Sequence, residues 1–148
     1  TDTSFDVTGN TDGISYYYEH ETGVNYIKNA TTFAVPANIT SGDFDITQDQ
    51  SRGITFRGDG EFMMRISRII PDYITQQGTT VVQLDTRNFP NDSSSSSPLG
   101  PFNTTSSTKK IDTRARARAI ALTISNTAVD TNWKLGTFRL DVHSGGRR

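Results

Sequence analysis

The sequence contains no cysteine, which excludes disulfide bonds and metal sites built on thiolates. It has no apolar run of the length that a membrane-spanning helix needs, and its first residues lack the pattern of a secretory signal peptide. We therefore expect no membrane segment. The chain begins at Thr1 rather than at Met, and we interpret it as a fragment or a processed piece of a longer product.

Histidine is scarce, which leaves few candidates for acid–base catalysis. The two histidines are His20 and His143. Glu19 and Glu21 flank His20, but adjacent side chains of a strand point to opposite faces and cannot converge on one substrate. No spacing of Ser, His and Asp indicates a nucleophilic triad. We predict that the protein is not an enzyme and that it has no catalytic residue and no cofactor.

Acidic residues cluster at one place where calcium binding has to be considered. Asp43, Asp45 and Asp49 lie near Gly42, and calcium loops use oxygen ligands at regular spacing. The glycine and the closing glutamate of such a loop are missing from the expected positions. Solvated acids in turns explain the cluster better, and we predict no metal site.

Apolar residues make up only 32% of the 148 residues, which is enough for one domain but gives a lone monomer a thin core. Gly, Ser, Thr, Asn and Asp are plentiful, a composition that favours short strands joined by polar turns over a helical bundle. A domain of this kind completes its core most easily against neighbours in a larger assembly.

Charge is divided unevenly along the chain. Residues 1–50 hold one basic residue against eight acidic ones, a net charge of −7, and residues 51–148 hold fourteen against eight, a net charge of +6. A basic half of this kind can meet nucleic acid or the acidic surface of a sister subunit. Both interpretations stay open at this point.

Strict alternation marks residues 112–125. One parity carries three arginines followed by three branched apolar residues, namely Arg114, Arg116, Arg118, Ile120, Leu122 and Ile124, and the other parity is almost wholly alanine. The helix propensity of Ala and Arg favours a helix. Helical spacing leaves no apolar stripe, however, and the Leu-Thr-Ile end prefers a strand. We predict one strand whose alanine face lets another layer or subunit approach closely.

Alternation predicts further strands on both sides of this stretch. The candidates are residues 14–19, 24–28, 32–35, the segment around Phe44 and Ile46, 53–57, 61–70, 79–88 and 133–142. Two hairpins follow from their order: 14–19 with 24–28, and 112–125 with 133–142.

The remaining segments are polar and predict loops. Residues 1–13 form a lead-in, residues 89–108 a long, flexible, Ser-rich loop, and residues 143–148 a flexible basic tail. Residues 14–148 then make a single domain of eight or nine strands without a helix. We predict an all-β fold, an antiparallel β-sandwich or a jelly-roll-like arrangement.

The three arginines of the Arg-Ala stretch have two interpretations. As structural groups they bridge to carboxylates such as Asp85, Asp112 or Asp141 on neighbouring strands or subunits, since guanidinium groups make paired hydrogen bonds. As nucleic-acid ligands they contact phosphates, but alanines rather than aromatic residues interleave them, which argues against a base-stacking platform. We favour the structural interpretation and keep DNA contact second.

Trp133 is the only tryptophan. Such a residue is most often an anchor in a core or a subunit interface. With the tyrosines at 16–18 and Tyr26 it could instead build a platform for sugars, which would make the domain a module that binds host surface glycans.

Three sequence blocks together resemble a known family. They are residues 18–23 (Tyr-Glu-His-Glu-Thr-Gly), residues 62–73 ending in Ile-Ile-Pro-Asp-Tyr, and residues 114–124 followed by Trp-Lys-Leu-Gly at 133–136 and Arg-Leu-Asp-Val at 139–142. Their order is similar to the C-terminal region of tailed-bacteriophage virion proteins of the tail nozzle, tail tubular or DNA-stabilisation type. The resemblance covers most of the chain from about Tyr18 onward. The chain departs from the family pattern in having alanine where a glycine is common in the arginine-rich strand.

The resemblance implies a non-enzymatic tail component that forms a ring around the DNA exit path. Its partners would be further copies of itself and other tail proteins, with the DNA that passes through the tail as a non-specific contact. It would reside in the virion after assembly in the bacterial cytoplasm. The candidate interface or structural residues are Arg114, Arg116, Arg118, Trp133, Arg139 and Asp141.

Overall fold

The computed structural model describes residues 23–28, 30–49, 53–55, 60–89, 91–92 and 98–146. In that part of the chain it has thirteen strands and no helix. In chain order they are β1 (Asn25–Lys28), β2 (Thr31–Ala34), β3 (Ala37–Thr40), β4 (Thr47–Asp49), β5 (Gly53–Thr55), β6 (Met64–Ile70), β7 (Tyr73–Gln77), β8 (Thr80–Arg87), β9 (Pro98–Thr104), β10 (Ile111–Ala117), β11 (Ala119–Asn126), β12 (Asn132–Leu135) and β13 (Arg139–Ser144).

Two antiparallel sheets enclose the core. One has three strands in the order β10-β6-β13, and the other has four in the order β3-β11-β8-β9. Both contribute apolar side chains to a single buried cluster made of Ile46, Phe62, Met64, Ile66, Ile69, Val82, Leu84, Ile111, Ala115, Ala117, Ile120 and Ile124. The predicted all-β antiparallel fold is confirmed, and the two sheets pack as a sandwich.

β8 shows how alternation positions the core. Its residues are buried at every second position, so that Val82 and Leu84 point inward while Gln83 and Asp85 stay partly exposed. This is the period of two that a half-buried strand requires. The strand predicted at 79–88 is confirmed with this inward set.

β6 breaks its own alternation at Ser67. Arg68 lies opposite Asp141 of β13 and Ile66 opposite the next residue, Val142, so β6 carries Ser67 as an extra residue at this point. The irregularity places Ile69 in the core and leaves Arg68 on the outer face. An unbroken alternation would have placed Arg68 on the buried side with Ile66, and the bulge avoids burying that charge.

The Arg-Ala stretch corrects the prediction of one strand. It forms two strands, β10 and β11, which meet at Arg118 and belong to different sheets. Ala115 and Ala117 are fully buried before the break, and Ile120 and Ile124 are buried after it. The buried parity therefore changes at Arg118. Strands that pass from one sheet of a sandwich to the other do so at bends of this kind.

The predicted hairpin between 112–125 and 133–142 is wrong. Residues 133–142 contain two strands, and their partners are β7 for β12 and β6 for β13. Together these four strands make one long antiparallel ribbon that is interrupted after Ile70 on one side and after Leu135 on the other. Pro71 lies at the interruption and has no N–H with which to continue the ladder.

Two segments predicted as loops are ordered strands instead. Within the loop predicted at 89–108, residues Pro98–Thr104 form β9 at the edge of the four-stranded sheet, where Leu99 and Phe102 pack against the core. Within the tail predicted at 143–148, β13 continues to Ser144, and Met63 exchanges backbone hydrogen bonds with Gly145 and Gly146. Apolar contacts and backbone pairing order both segments despite their polar composition.

Shorter predicted strands are present with modified limits. The segments 24–28, 32–35 and 53–57 correspond to β1, β2 and β5. In the segment around Phe44 and Ile46, Phe44 forms only an isolated bridge with Ile120 of β11, and Ile46 is fully buried, so the predicted strand is reduced to one bridge. β1 pairs with β2. The strand predicted at 14–19, its hairpin with 24–28 and the lead-in at 1–13 lie outside the described residues.

Candidate functional site

The outer face of the three-stranded sheet carries two rows of charged side chains. In each row one residue from β10, one from β6 and one from β13 lie directly opposite each other. The mixed triplet consists of Asp112, Arg68 and Asp141, and the basic triplet consists of Arg116, Arg65 and His143. Directly opposite side chains on one face of a sheet lie close enough to interact.

The mixed triplet is an acid–base–acid row. Arg68 Nε lies 3.2 Å from Asp112 Oδ1, and Arg68 Nη1 lies 3.4 Å from Asp141 Oδ2. Lys110 Nζ adds a contact of 2.9 Å to Asp112 Oδ2. Asp112 accepts hydrogen bonds from Lys110 and Arg68, and these lower the pKa of its carboxyl below the usual value. Lys110 has the larger effect. Together with Lys110, this row has two positive and two negative charges and is neutral.

The basic triplet has no such compensation. All three side chains are exposed, and among the described residues neither Arg65 nor Arg116 has a carboxylate partner. His143 Nε2 lies 3.4 Å from Ser67 Oγ, a long contact with a neutral group. Arg114, also exposed and without an ion pair in the described part of the chain, lies two residues from Arg116 on β10. Like charges placed directly opposite each other on a sheet are destabilising.

Arg118 has a different role from the other two arginines of its stretch. Its Nη1 donates to the carbonyl oxygens of Gly60 and Glu61, both at 2.9 Å. The guanidinium therefore braces the corner where the chain passes between the sheets. The three predicted arginines do not act as one group. Arg114 and Arg116 share an exposed surface, whereas Arg118 binds backbone carbonyl oxygens within the fold.

Within the described part of the chain, none of the three carboxylates named for the predicted clamp pairs with these arginines, and a clamp to a neighbouring subunit stays a prediction. Asp112 and Asp141 are held by Arg68. Asp85 accepts hydrogen bonds from the side chains of Gln83 and Thr123 at 2.9 and 3.4 Å. The sequence pattern could not identify Arg68 as the partner, because the bulge at Ser67 decides which face it occupies.

Arg139 is an exposed residue of the predicted site. Its side chain is 70% exposed, and its Nη2 lies 3.9 Å from Asp72 Oδ2. A pair of this length and exposure contributes little to stability.

Trp133 is anchored within the chain. Its side chain is half-buried against the core, and its indole N–H donates to Asn126 Oδ1 at 2.7 Å. Tyr73 meets it edge to face with the ring centroids 6.5 Å apart. Tyr26 is exposed, but its ring stacks on Phe33 at 5.2 Å. These contacts give Trp133 a packing role, and the tyrosines at 16–18 of the predicted sugar platform lie outside the described residues.

Two residues of the acidic cluster, Asp43 and Asp45, make contacts within the fold. Asp43 Oδ2 pairs with Arg87 Nη1 at 2.6 Å, and Asp45 Oδ2 accepts a hydrogen bond from the N–H of Gly60 at 2.7 Å. The described residues contain no group of three or more His, Asp or Glu side chains placed to hold a metal ion. The same part of the chain has no helix of the length and apolarity that a membrane span requires. The absence of catalysis stays a prediction.

Sequence patterns did not indicate one further feature, a group of exposed apolar side chains on and beside the β1–β2 hairpin. Tyr26, Ile27 and Phe33 on the β1–β2 hairpin are 42%, 56% and 40% exposed, and Val35 and Ile39 beside it are 48% exposed each. We name this set the hairpin surface. Asn25 ties the base of the hairpin to Asp130 through two hydrogen bonds of 2.6 and 2.8 Å. Alternation alone cannot reveal a strand pair that has neither face buried.

Comparison with known protein families found no family model that matches the chain. A comparison with curated proteins found no match either.

Proposed function

We propose that the chain is a non-enzymatic structural domain of a bacteriophage tail protein of nozzle or tubular type, which assembles into a ring around the DNA exit path. The three sequence blocks described above suggest the family. In this proposal the protein resides in the virion, and its partners are further copies of itself and other tail proteins.

The packing of two of those blocks against each other supports a structural role for them. Gly136 donates its backbone N–H to the carbonyl oxygen of Asp72 at 2.8 Å, and Trp133 contacts Tyr73 edge to face. A Cβ at Gly136 would lie 2.7 Å from that carbonyl oxygen, so the contact requires glycine. The motifs at 69–73 and 133–136 thus form one interlocking unit of the ribbon. Their residues serve the scaffold of the domain.

The hairpin surface is the observation that carries the proposal of self-association. An isolated two-stranded hairpin is marginally stable in water, and here both of its strands are exposed with large apolar side chains. β3, which continues from it, is exposed along its whole length at the edge of the four-stranded sheet. Contact with a neighbouring subunit would cover these residues. A head-to-tail contact of this kind closes into a ring when its rotation permits.

Native mass spectrometry and analytical ultracentrifugation over a range of concentrations test the proposal. We expect the chain to form closed oligomers, and the double variant Tyr26→Ser/Phe33→Ser to need at least about tenfold higher concentration for assembly, because buried aromatic anchors dominate interface energies. A control, Ile74→Ser/Phe89→Ser, removes two apolar residues elsewhere on the surface that are more exposed, at 62% and 68%, than Tyr26 and Phe33. Monomers at every concentration, or equal weakening by the control, would contradict the proposal.

A further inference from the structure

We propose that Arg65, Arg114, Arg116 and His143 form a surface that binds the phosphate backbone of nucleic acid without reading its sequence. We name these four residues the basic patch. The patch goes beyond the ring proposed above, because it lies within a single chain and does not require assembly.

The register of the sheet brings the patch together. Arg116 and His143 are the direct cross-strand neighbours of Arg65, on opposite sides of it. Neighbouring strands are about 4.8 Å apart, so the three side chains start within a width of about 10 Å. Arg114 extends the patch along β10 by about 6.7 Å, the distance spanned by two residues of a strand. Four basic side chains therefore share one small, solvent-exposed area.

The contrast with the mixed triplet indicates an external partner. The same three strands place carboxylates on both sides of Arg68, three residues along β6, and the charges cancel there. At Arg65 both neighbours are basic, an arrangement that costs stability in the free protein. A polyanion bound across the patch removes that cost. The mixed triplet shows that this same face can place carboxylates beside an arginine. The basic neighbours of Arg65 are therefore not a necessary result of the sheet.

The aspartate side chains that the structure describes are already engaged, which makes them poor candidates for binding the patch of a second copy. The structure describes eight aspartate side chains, and every one of them has a contact within its own chain. These eight are Asp43, Asp45, Asp72, Asp85, Asp92, Asp112, Asp130 and Asp141. A second copy could meet the patch with one of these eight aspartates only by giving up such a contact, whereas nucleic acid brings one phosphate charge per about 1.7 Å of duplex.

The composition of the patch indicates how it binds. Arginine suits phosphate because its planar group donates paired hydrogen bonds. The four patch residues include no Phe, Tyr or Trp on which bases could stack. Contacts to phosphates alone carry no sequence information, so the expected binding is electrostatic and insensitive to base composition.

Fluorescence anisotropy with a labelled 20-base-pair duplex tests the proposal. Between 50 and 200 mM NaCl we expect the logarithm of the binding constant to fall with the logarithm of salt concentration at a slope of about −3, since three arginines each displace roughly one counterion. The variant Arg65→Gln/Arg114→Gln/Arg116→Gln should bind at least about tenfold more weakly at 50 mM NaCl and lose most of this slope.

The matched control removes three exposed lysines from elsewhere, Lys28→Gln/Lys109→Gln/Lys134→Gln, and changes the net charge by the same amount. We expect it to reduce affinity less than about threefold. Thermal unfolding of each variant establishes that it is folded. Equal weakening by both triple variants, or no binding by the unmodified chain, would overturn the proposal.

One further outcome separates the partners. If the patch variant loses self-association while the unmodified chain does not bind DNA, the patch is an interface between copies and the nucleic-acid assignment is wrong. The hairpin variant Tyr26→Ser/Phe33→Ser should keep DNA binding, because its substitutions lie outside the patch. Failure of ring formation is therefore distinguishable from failure of the basic patch.

Discussion

The two charged triplets share three strands and one face of the same sheet, yet they differ in every electrostatic respect. Arg68 lies between Asp112 and Asp141 and holds both, whereas Arg65 lies between Arg116 and His143. The bulge at Ser67 separates them. The first row contributes to the sheet, and the second costs the sheet stability while it presents charge to the solvent. The comparison teaches that exposed charge on this face has two separate uses, cohesion and recognition.

The largest effect is expected from breaking the ribbon that supports both triplets. Gly136→Ala should lower the free energy of unfolding by about 1–3 kcal/mol, because the added Cβ would lie 2.7 Å from the Asp72 carbonyl oxygen, and backbone must shift to make room. Chemical denaturation measures this change. Gly42→Ala is the control, since a Cβ there has no atom within 4 Å. Equal stability of the two variants would contradict the close approach.

A smaller effect is a change in Tm whose direction should differ between the two triplets. Arg68→Ala should lower Tm by up to about 3 °C, because it leaves two carboxylates facing an empty position. Arg65→Ala should leave Tm unchanged or raise it slightly, because it relieves repulsion between like charges. Thermal unfolding at low ionic strength measures both, and 1 M NaCl should reduce the difference. If Arg65→Ala lowered Tm as much as Arg68→Ala, the basic triplet would stabilise the sheet and the expected repulsion would be contradicted.

The smallest effect is a change in the titration of Asp112. Lys110, and after it Arg68, keeps the pKa of this carboxyl below its usual value. A carboxyl with a lowered folded-state pKa adds stability above its unfolded-state pKa, and that stability is lost as the pH falls through the folded-state pKa. Lys110→Ala should therefore raise the Asp112 pKa, as followed by NMR titration of its side chain. An unchanged titration would show that the hydrogen bond from Lys110 does not stabilise the ionised form.

Alternation allowed the fold class and several strands to be predicted. β8 follows the period of two without interruption, and the strand predicted at 79–88 is present. The Arg-Ala stretch has equally strict alternation, but alternation cannot show that the chain changes sheets at Arg118. The same limit explains the wrong hairpin, because the true partners of β12 and β13 lie more than fifty residues away in sequence.

Half of the basic patch could be predicted and half could not. Arg114 and Arg116 were candidates because they repeat at every second position. Arg65 and His143 join them only through cross-strand register, which depends on the bulges on either side of β6. β9 was missed for a related reason: Pro98, Gly100 and Pro101 argue against a strand, and the edge position tolerates them.

The corner at Arg118 has a mechanical consequence. β10 and β11 are one continuous piece of backbone, so a force applied to the four-stranded sheet reaches the three-stranded sheet through covalent bonds. The hydrogen bonds from Arg118 to Gly60 and Glu61 fasten that crossing to the segment that leads into β6. Sliding of the two layers past each other would therefore have to strain this corner.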